Sequence, residues 1–139
     1  MEINRIRLKL NRNKKKVGIF SLEDIKTYAR VSNVYDGDTL HLTFYLDNRL
    51  VRFRCRLGGI DTPELRGKTI DEKTMACDAR DYLRKMVDDK IVYVEFGKMD
   101  KYSRPLVNLY KNGNNVNQLM IIKGFAVYYD GKGPKCQWV

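Results

Sequence analysis

Two short acidic turns, Asp36-Gly37-Asp38-Thr39 and Asp61-Thr62-Pro63-Glu64, place four carboxylates in the chain, with Asp61 following Asp38 by 23 residues. Taken singly, each reads as an ordinary turn, because Asp and Gly supply turn geometry and Pro stiffens it. Taken together they allow chemistry. If the strands that carry them pair, Asp38 and Asp61 converge, and their hard oxygen donors suit Ca²⁺ or Mg²⁺. Soft ligands nearby are too few to favour zinc. Arg56 precedes Asp61 by five residues, so cation and anions meet at one rim. Exposed ion pairs yield only ~0–1 kcal/mol each, which makes mixed charge a poor device for stability. It suits phosphodiester cleavage better. A metal and guanidinium groups neutralise charge growing on phosphate oxygens, while a carboxylate orients or deprotonates water.

These residues need strands to hold them, and the hydrophobic pattern supplies candidates. Thr27–Val34 has β-rich composition, and Thr39–Tyr45 alternates, with Leu40, Leu42 and Phe44 on one face. Lone His41 falls on the other, outward face. Leu50–Leu57 alternates more cleanly: Val51, Phe53, Cys55 and Leu57 oppose Arg52, Arg54 and Arg56. Like charges so close repel, so something negative is expected to compensate at least one of these arginines. A helix is expected from Asp71 or Glu72 to Asp88, with Met75, Ala79, Tyr82, Leu83 and Met86 facing inward. Ile91–Phe96 and Leu106–Tyr110 read as strands, and Val116–Lys123 as a short helix stopped by Gly124. Phe125–Tyr129 is a last apolar piece. This order gives a mainly β, α+β fold: a five-stranded OB-fold barrel with a helix after the third strand and a second short helix. A mixed α+β sandwich is the alternative.

Composition narrows the classes. The 139 residues include 27 Lys or Arg, 17 Asp or Glu, and one His, which excludes multi-histidine metal sites and leaves a serine hydrolase only His41. No stretch approaches the ~20 apolar residues of a membrane span. Cys55, Cys77 and Cys136 form no CxxC pair, and an odd, widely spaced set reads as reduced, incidental thiols. With no secretory pattern at the start, an intracellular protein is expected. The net charge of +10 is uneven, with residues 1–16 carrying seven basic groups against Glu2. That leader is either an arm for phosphate backbones or a solvated terminus, and Lys14–Lys16 alone is weak as a localisation signal. The expected organisation is a basic extension over 1–25, a domain over 26–130 and a short tail over 131–139.

At Asp100-Lys101-Tyr102-Ser103-Arg104 the sequence comes to resemble the staphylococcal nuclease (thermonuclease) family. The matching pieces are VYDGDT (34–39), RLGGIDTPE (56–64), DKYSR (100–104) and NGNNVNQLMIIKGFA (112–126), in the family's order. The resemblance implies Asp38 and Asp61 as side-chain metal ligands, Thr62 as a carbonyl ligand, and Asp36 as a residue orienting the loop or a metal-bound water. It implies Glu64 as general base or water-positioner, partly buried at the barrel rim by the Pro63 turn. It implies Arg56 and Arg104 as phosphate-binding residues, with Lys101 and Tyr102 at a terminal phosphate. The implied activity is Ca²⁺-dependent cleavage of DNA and RNA with low sequence preference, leaving 3′-phosphates; Mg²⁺ or Mn²⁺ are the other cations considered. No membrane and no obligate protein partner is expected. Independently, Tyr128, Tyr129 and Tyr102 are candidates for stacking on bases, although packing under a strand is the better reading for at least one of the Tyr128–Tyr129 pair. Trp138 is given no role.

Four departures from the family bear on the site. Ser103 stands where Gly is usual, which costs about 1 kcal/mol if that position needs positive φ. Pro105 removes one amide donor, and the Phe96–Asp100 connection is short. The sequence stops at Val139 before any long C-terminal helix, so Phe125–Tyr129 and the 131–134 stretch are expected to cover that side. A nucleic-acid-binding module without catalysis is the alternative function.

Overall fold

The computed structural model describes residues 2–13 and 16–138. Lys14 and Lys15 of the basic leader lie outside the described residues. Strands β1 (Lys26–Val34), β2 (Thr39–Leu46) and β3 (Arg49–Leu57) form an antiparallel meander, followed by the two-residue β4 (Ile60–Asp61). Helix α2 (Ile70–Val87) leads to β5 (Ile91–Met99) and β6 (Pro105–Lys111). The short β7 (Asn114–Asn115), helix α3 (Val116–Ile122) and β8 (Val127–Tyr128) complete the order. The sheet runs β3-β2-β1-β5-β6 and closes through a parallel β3–β6 contact, Arg56 opposite Leu106 and Leu57 opposite Val107. The result is a closed five-stranded mixed barrel with helices. Closure removes the sheet edges that would otherwise be open to pairing.

Alternation sets which residues enter the barrel. Leu40, Leu42 and Phe44 from β2 and Cys55 and Leu57 from β3 are buried. They meet Val31 of β1, Val92, Val94 and Phe96 of β5, and Val107 and Leu109 of β6. Burying each large apolar side chain contributes ~1.5–3 kcal/mol. The Cys55 thiol sits among these and burial pushes its pKa up to about 12, so it is unreactive.

Helix α2 begins where Thr69 Oγ1 accepts from the Glu72 amide at 3.0 Å and the Glu72 carboxylate accepts from the Lys68 amide at 2.9 Å. Ala76, Ala79, Leu83 and Val87 form its buried row. Met75, expected inward, lies half-buried at the edge of that row. Tyr82 stacks on Phe125 with ring centroids 4.7 Å apart, so Phe125 packs against this helix.

Helix α1 (Glu2–Arg12) and the two-residue strands β4, β7 and β8 were not anticipated. No residue of α1 is buried. The segment lacks Gly and Pro, is rich in Arg, Leu and Lys, and has Glu2 in its first turn and Lys9 and Arg12 in its last, all favourable to a helix. Strands β4 and β8 form a ribbon, in which Ile60 pairs with Tyr128 and Asp61 with Val127. Two-residue strands are too short to show periodicity. Asn117 is a further unsignalled anchor. Its buried amide donates to the carbonyls of Gly58 and Val107, both at 2.9 Å, and its Oδ1 accepts from the Leu109 amide at 3.2 Å. Helix α3 is thereby tied to the β3–β6 closure.

Candidate active site

The first acidic turn is folded by its own side chain. Asp36 Oδ1 accepts from the amides of Asp38 at 3.1 Å and Thr39 at 2.8 Å, an Asx-turn. Burial, reinforced by the charge of Asp38, pushes the Asp36 pKa up to about 7. Gly37 allows this loop to lie against the helix. A Cβ built there would be 2.9 Å from Ala79 Cβ and 3.1 Å from both Thr62 Cβ and Cγ2. Gly37→Ala is therefore expected to cost ~1–3 kcal/mol through overpacking, read as a lower urea midpoint. A midpoint equal to wild type would contradict the close packing of this loop.

Across the barrel opening, the Leu57 amide donates to the Asp38 carbonyl at 2.8 Å, which sets β3 beside the loop. Arg56 Nη2 then lies 3.2 Å from Asp38 Oδ2 and 3.2 Å from Asp61 Oδ1. The expected convergence of Asp38 and Asp61, and the expected compensation of one β3 arginine, both take this form. Arg56 Nη1 and Nε make no hydrogen bond among the described residues. Every fully buried side-chain nitrogen or oxygen there has a partner, so these two donors reach solvent. Burial raises the Asp61 pKa, while the cations of Lys135 and Arg56 oppose that rise and the charges of Asp38 and Glu64 add to it. Thr62, next in the chain, is buried as well.

Arg104 arrives from the β5–β6 hairpin. Asp100 holds it: Arg104 Nε donates to Asp100 Oδ2 at 2.8 Å, and Asp100 Oδ1 accepts from the amides of Tyr102 and Arg104. Burial of the Asp100 carboxyl is outweighed by the Arg104 and Tyr102 amides and the Arg104 guanidinium, so its pKa is lowered. Arg104 Nη1 donates to Thr39 Oγ1 at 3.2 Å, and Thr39 Oγ1 donates to Asp38 Oδ1 at 3.2 Å. The two arginines thus flank Asp38, with Thr39 as a bridge the sequence reading missed. Ser103 has φ of +63°, the strained case foreseen for this position. Ser103→Gly is expected to raise stability by about 0.5–1 kcal/mol, measured as a shift in denaturation midpoint.

Glu64 departs from expectation. Its side chain is 54% exposed rather than partly buried at the rim, because the chain after buried Pro63 turns outward. It borders a cleft of about 340 Å³ lined by Tyr35, Asp36, Arg54, Leu65 and Arg66. Lys135 Nζ stands 3.5 Å from Glu64 Oε1 and 3.8 Å from Asp61 Oδ1. Neither spacing nor pattern marks a lysine in an irregular tail as a site residue. Trp138 is half-buried and lines a second cleft with Glu64, Arg66 and Glu72.

The aromatic candidates separate. Tyr102 is exposed, with Lys101 Nζ 5.2 Å and Arg104 Cζ 5.5 Å from its ring centroid, so Lys101 and Tyr102 adjoin Arg104 but not the acidic centre. Tyr128 is exposed on β8, whereas Tyr129 is half-buried and donates from Oη to the Gly133 carbonyl at 3.0 Å. His41 faces outward; slight desolvation and the neighbouring Arg52 and Arg54 lower its pKa. It takes no part in the site.

Known proteins are similar to this chain in sequence. A family model described as staphylococcal nuclease homologue matches residues 54–137. An uncharacterized protein of Bacillus anthracis is 32% identical over 109 residues, covering 76% of this chain and 48% of that protein. The staphylococcal-like nuclease CAN1 of Arabidopsis thaliana is 32% identical over 120 residues, 76% of this chain and 35% of the relative. An uncharacterized endonuclease of Escherichia coli O157:H7 is 34% identical over 104 residues, 74% and 61% respectively. The chain thus spans less than two thirds of the length of each. The family-model match covers more than half of the chain, and with the closed barrel it shows that the chain belongs to the staphylococcal nuclease family.

Proposed function

We propose that this chain is a divalent-cation-dependent nuclease that hydrolyses phosphodiester bonds in DNA, RNA or both, with low sequence preference and 3′-phosphate products. The observation that carries this reading is Arg56 held between buried Asp38 and Asp61, with Arg104 joined to the same centre through Thr39. Relatives named nuclease and endonuclease support it.

The donor chemistry fits a hard cation. Among the described residues no group of three or more His, Cys, Asp or Glu side chains is placed to hold a metal. The ligands would be Asp38, Asp61 and the Thr62 carbonyl, with water completing the shell, an all-oxygen set suited to Ca²⁺. Asp38 and Asp61 are buried on either side of Arg56, which is the one buried cation among the described residues. When bound, such an ion supplies Lewis-acid stabilisation of the phosphate. Mg²⁺ or Mn²⁺ could supply the same chemistry.

The protein's own groups do the rest. The free Arg56 donors and Arg104 bind non-bridging phosphate oxygens, where guanidinium geometry matches the developing charge. Asp36 fixes the turn that carries Asp38. Glu64 accepts a proton from the water that attacks phosphorus. The P–O5′ bond breaks, leaving a 3′-phosphate and a 5′-oxygen that takes up a proton. Lys101 would contact a terminal phosphate beside Tyr102. Tyr102 and Tyr128 offer stacking faces, each worth ~1–3 kcal/mol per base. Tyr129 is placed for support of the tail.

The test is incubation with single- and double-stranded DNA and RNA, with Ca²⁺ and then with chelator, followed by end-group analysis. Calcium-dependent cleavage leaving 3′-phosphates is expected. A folded protein that binds nucleic acid without cutting it in Ca²⁺, Mg²⁺ or Mn²⁺ would be an OB-fold binding module instead.

A further inference from the structure

We propose that Lys135 is a counter-ion built into the active site, pairing with Glu64 and competing with the divalent cation for Asp61. This rests on the metal-dependent reading above and adds a site residue supplied by the tail. The tail starts beside the site and returns to it. β8 pairs with Ile60–Asp61, and the Tyr129 amide donates to the Gly59 carbonyl at 2.9 Å. Gly131 and Gly133, with φ of +84° and +75°, turn the chain, and Tyr129 Oη ties the second turn down at the Gly133 carbonyl. Lys135 is thereby delivered to the edge of the acidic centre, 3.8 Å from Asp61 Oδ1 and 3.5 Å from Glu64 Oε1. Trp138 follows in the cleft bordered by Glu64 and Glu72.

The energetics suit displacement. Asp61 is 2% exposed, but Lys135 is 50% exposed, and a half-solvated lysine pair is worth at most ~1 kcal/mol. A doubly charged ion that gains the carboxylates of Asp38 and Asp61 can displace it. The cost of doing so lowers apparent metal affinity by up to about fivefold. Displaced Lys135 leaves Glu64 free to face water, and the motion of this tail strap, residues 129–138, carries Trp138 with it.

Calorimetric titration of the full chain with Ca²⁺ tests this in wild type, Lys135→Met, Lys135→Gln and the tail control Lys132→Met. Both Lys135 variants are expected to bind Ca²⁺ about two- to fivefold more tightly than wild type, with Lys132→Met unchanged. The chain has one tryptophan, so emission from Trp138 reports the strap. It should change on adding Ca²⁺ to wild type and lie near its calcium-bound value in the Lys135 variants without Ca²⁺. Equal or weaker affinity in the Lys135 variants would overturn the inference alone, as would an equal gain in Lys132→Met. No Ca²⁺ binding by wild type would overturn the metal reading and the inference together.

Discussion

Glu64→Gln lowers turnover on saturating DNA by ~10²–10⁴-fold, the range typical of removing a positioned general base. The substitution keeps the shape of the side chain and deletes its capacity to take a proton. Little else should change, because Glu64 is 54% exposed and its ion pair with Lys135, at 3.5 Å, is half-solvated. Stability is therefore expected to stay within about 0.5 kcal/mol of wild type. Affinity for uncleaved nucleic acid should also hold, since the proposed function assigns phosphate binding to Arg56 and Arg104. The measurements are kcat under saturating substrate, a urea midpoint, and binding to a non-hydrolysable oligonucleotide. Near-wild-type turnover would remove Glu64 from the reaction. A parallel loss of binding would instead make it a residue that shapes the cleft.

The barrel was legible because its strands are half-buried and alternate strictly. Leu40, Leu42 and Phe44 announce an inward face whatever the partner strand. Helix α2 was legible in its extent, although Ala76 rather than Met75 occupies the buried row, a choice made by helix–barrel packing that spacing alone does not resolve. The convergence of Asp38 and Asp61 could be anticipated because both sit at strand ends near Arg56. What escaped the sequence depends on contacts between distant segments. Thr39 links Arg104 to Asp38 only because the 100–104 hairpin folds over β2. Asn117 looks like any polar residue of a short helix until its three backbone partners are seen. Lys135 lies in Gly- and Pro-rich chain with no period, and two positive-φ glycines decide where it lands. Glu64 marks the opposite failure. Its position in the motif was plain, but its exposure is set by the turn after Pro63.

Removing the guanidinium between the two buried acids should have the largest effect on the fold. Arg56→Met leaves Asp38 and Asp61 without their shared partner at 3.2 Å, and breaking a buried ion pair from one side typically costs ~3–5 kcal/mol. Against a domain stability of ~5–15 kcal/mol, that loss is visible as a large drop in urea midpoint in the presence of chelator. Calcium should then rescue the variant more than it stabilises wild type, because the uncompensated carboxylates bind it more tightly. At a hundredfold excess over Kd a ligand contributes ~2.7 kcal/mol, enough to recover much of the loss. Activity should not follow stability, since the calcium-loaded variant still lacks the Nη1 and Nε donors proposed to bind the phosphate. Arg56→Lys should fall between the two in stability while staying poorly active, as an ammonium keeps the charge but not the planar fork. Equal chelator-phase stability of Arg56→Met and wild type would show that Asp38 and Asp61 do not depend on Arg56. Equal calcium stabilisation of both proteins would separate the arginine from the metal site.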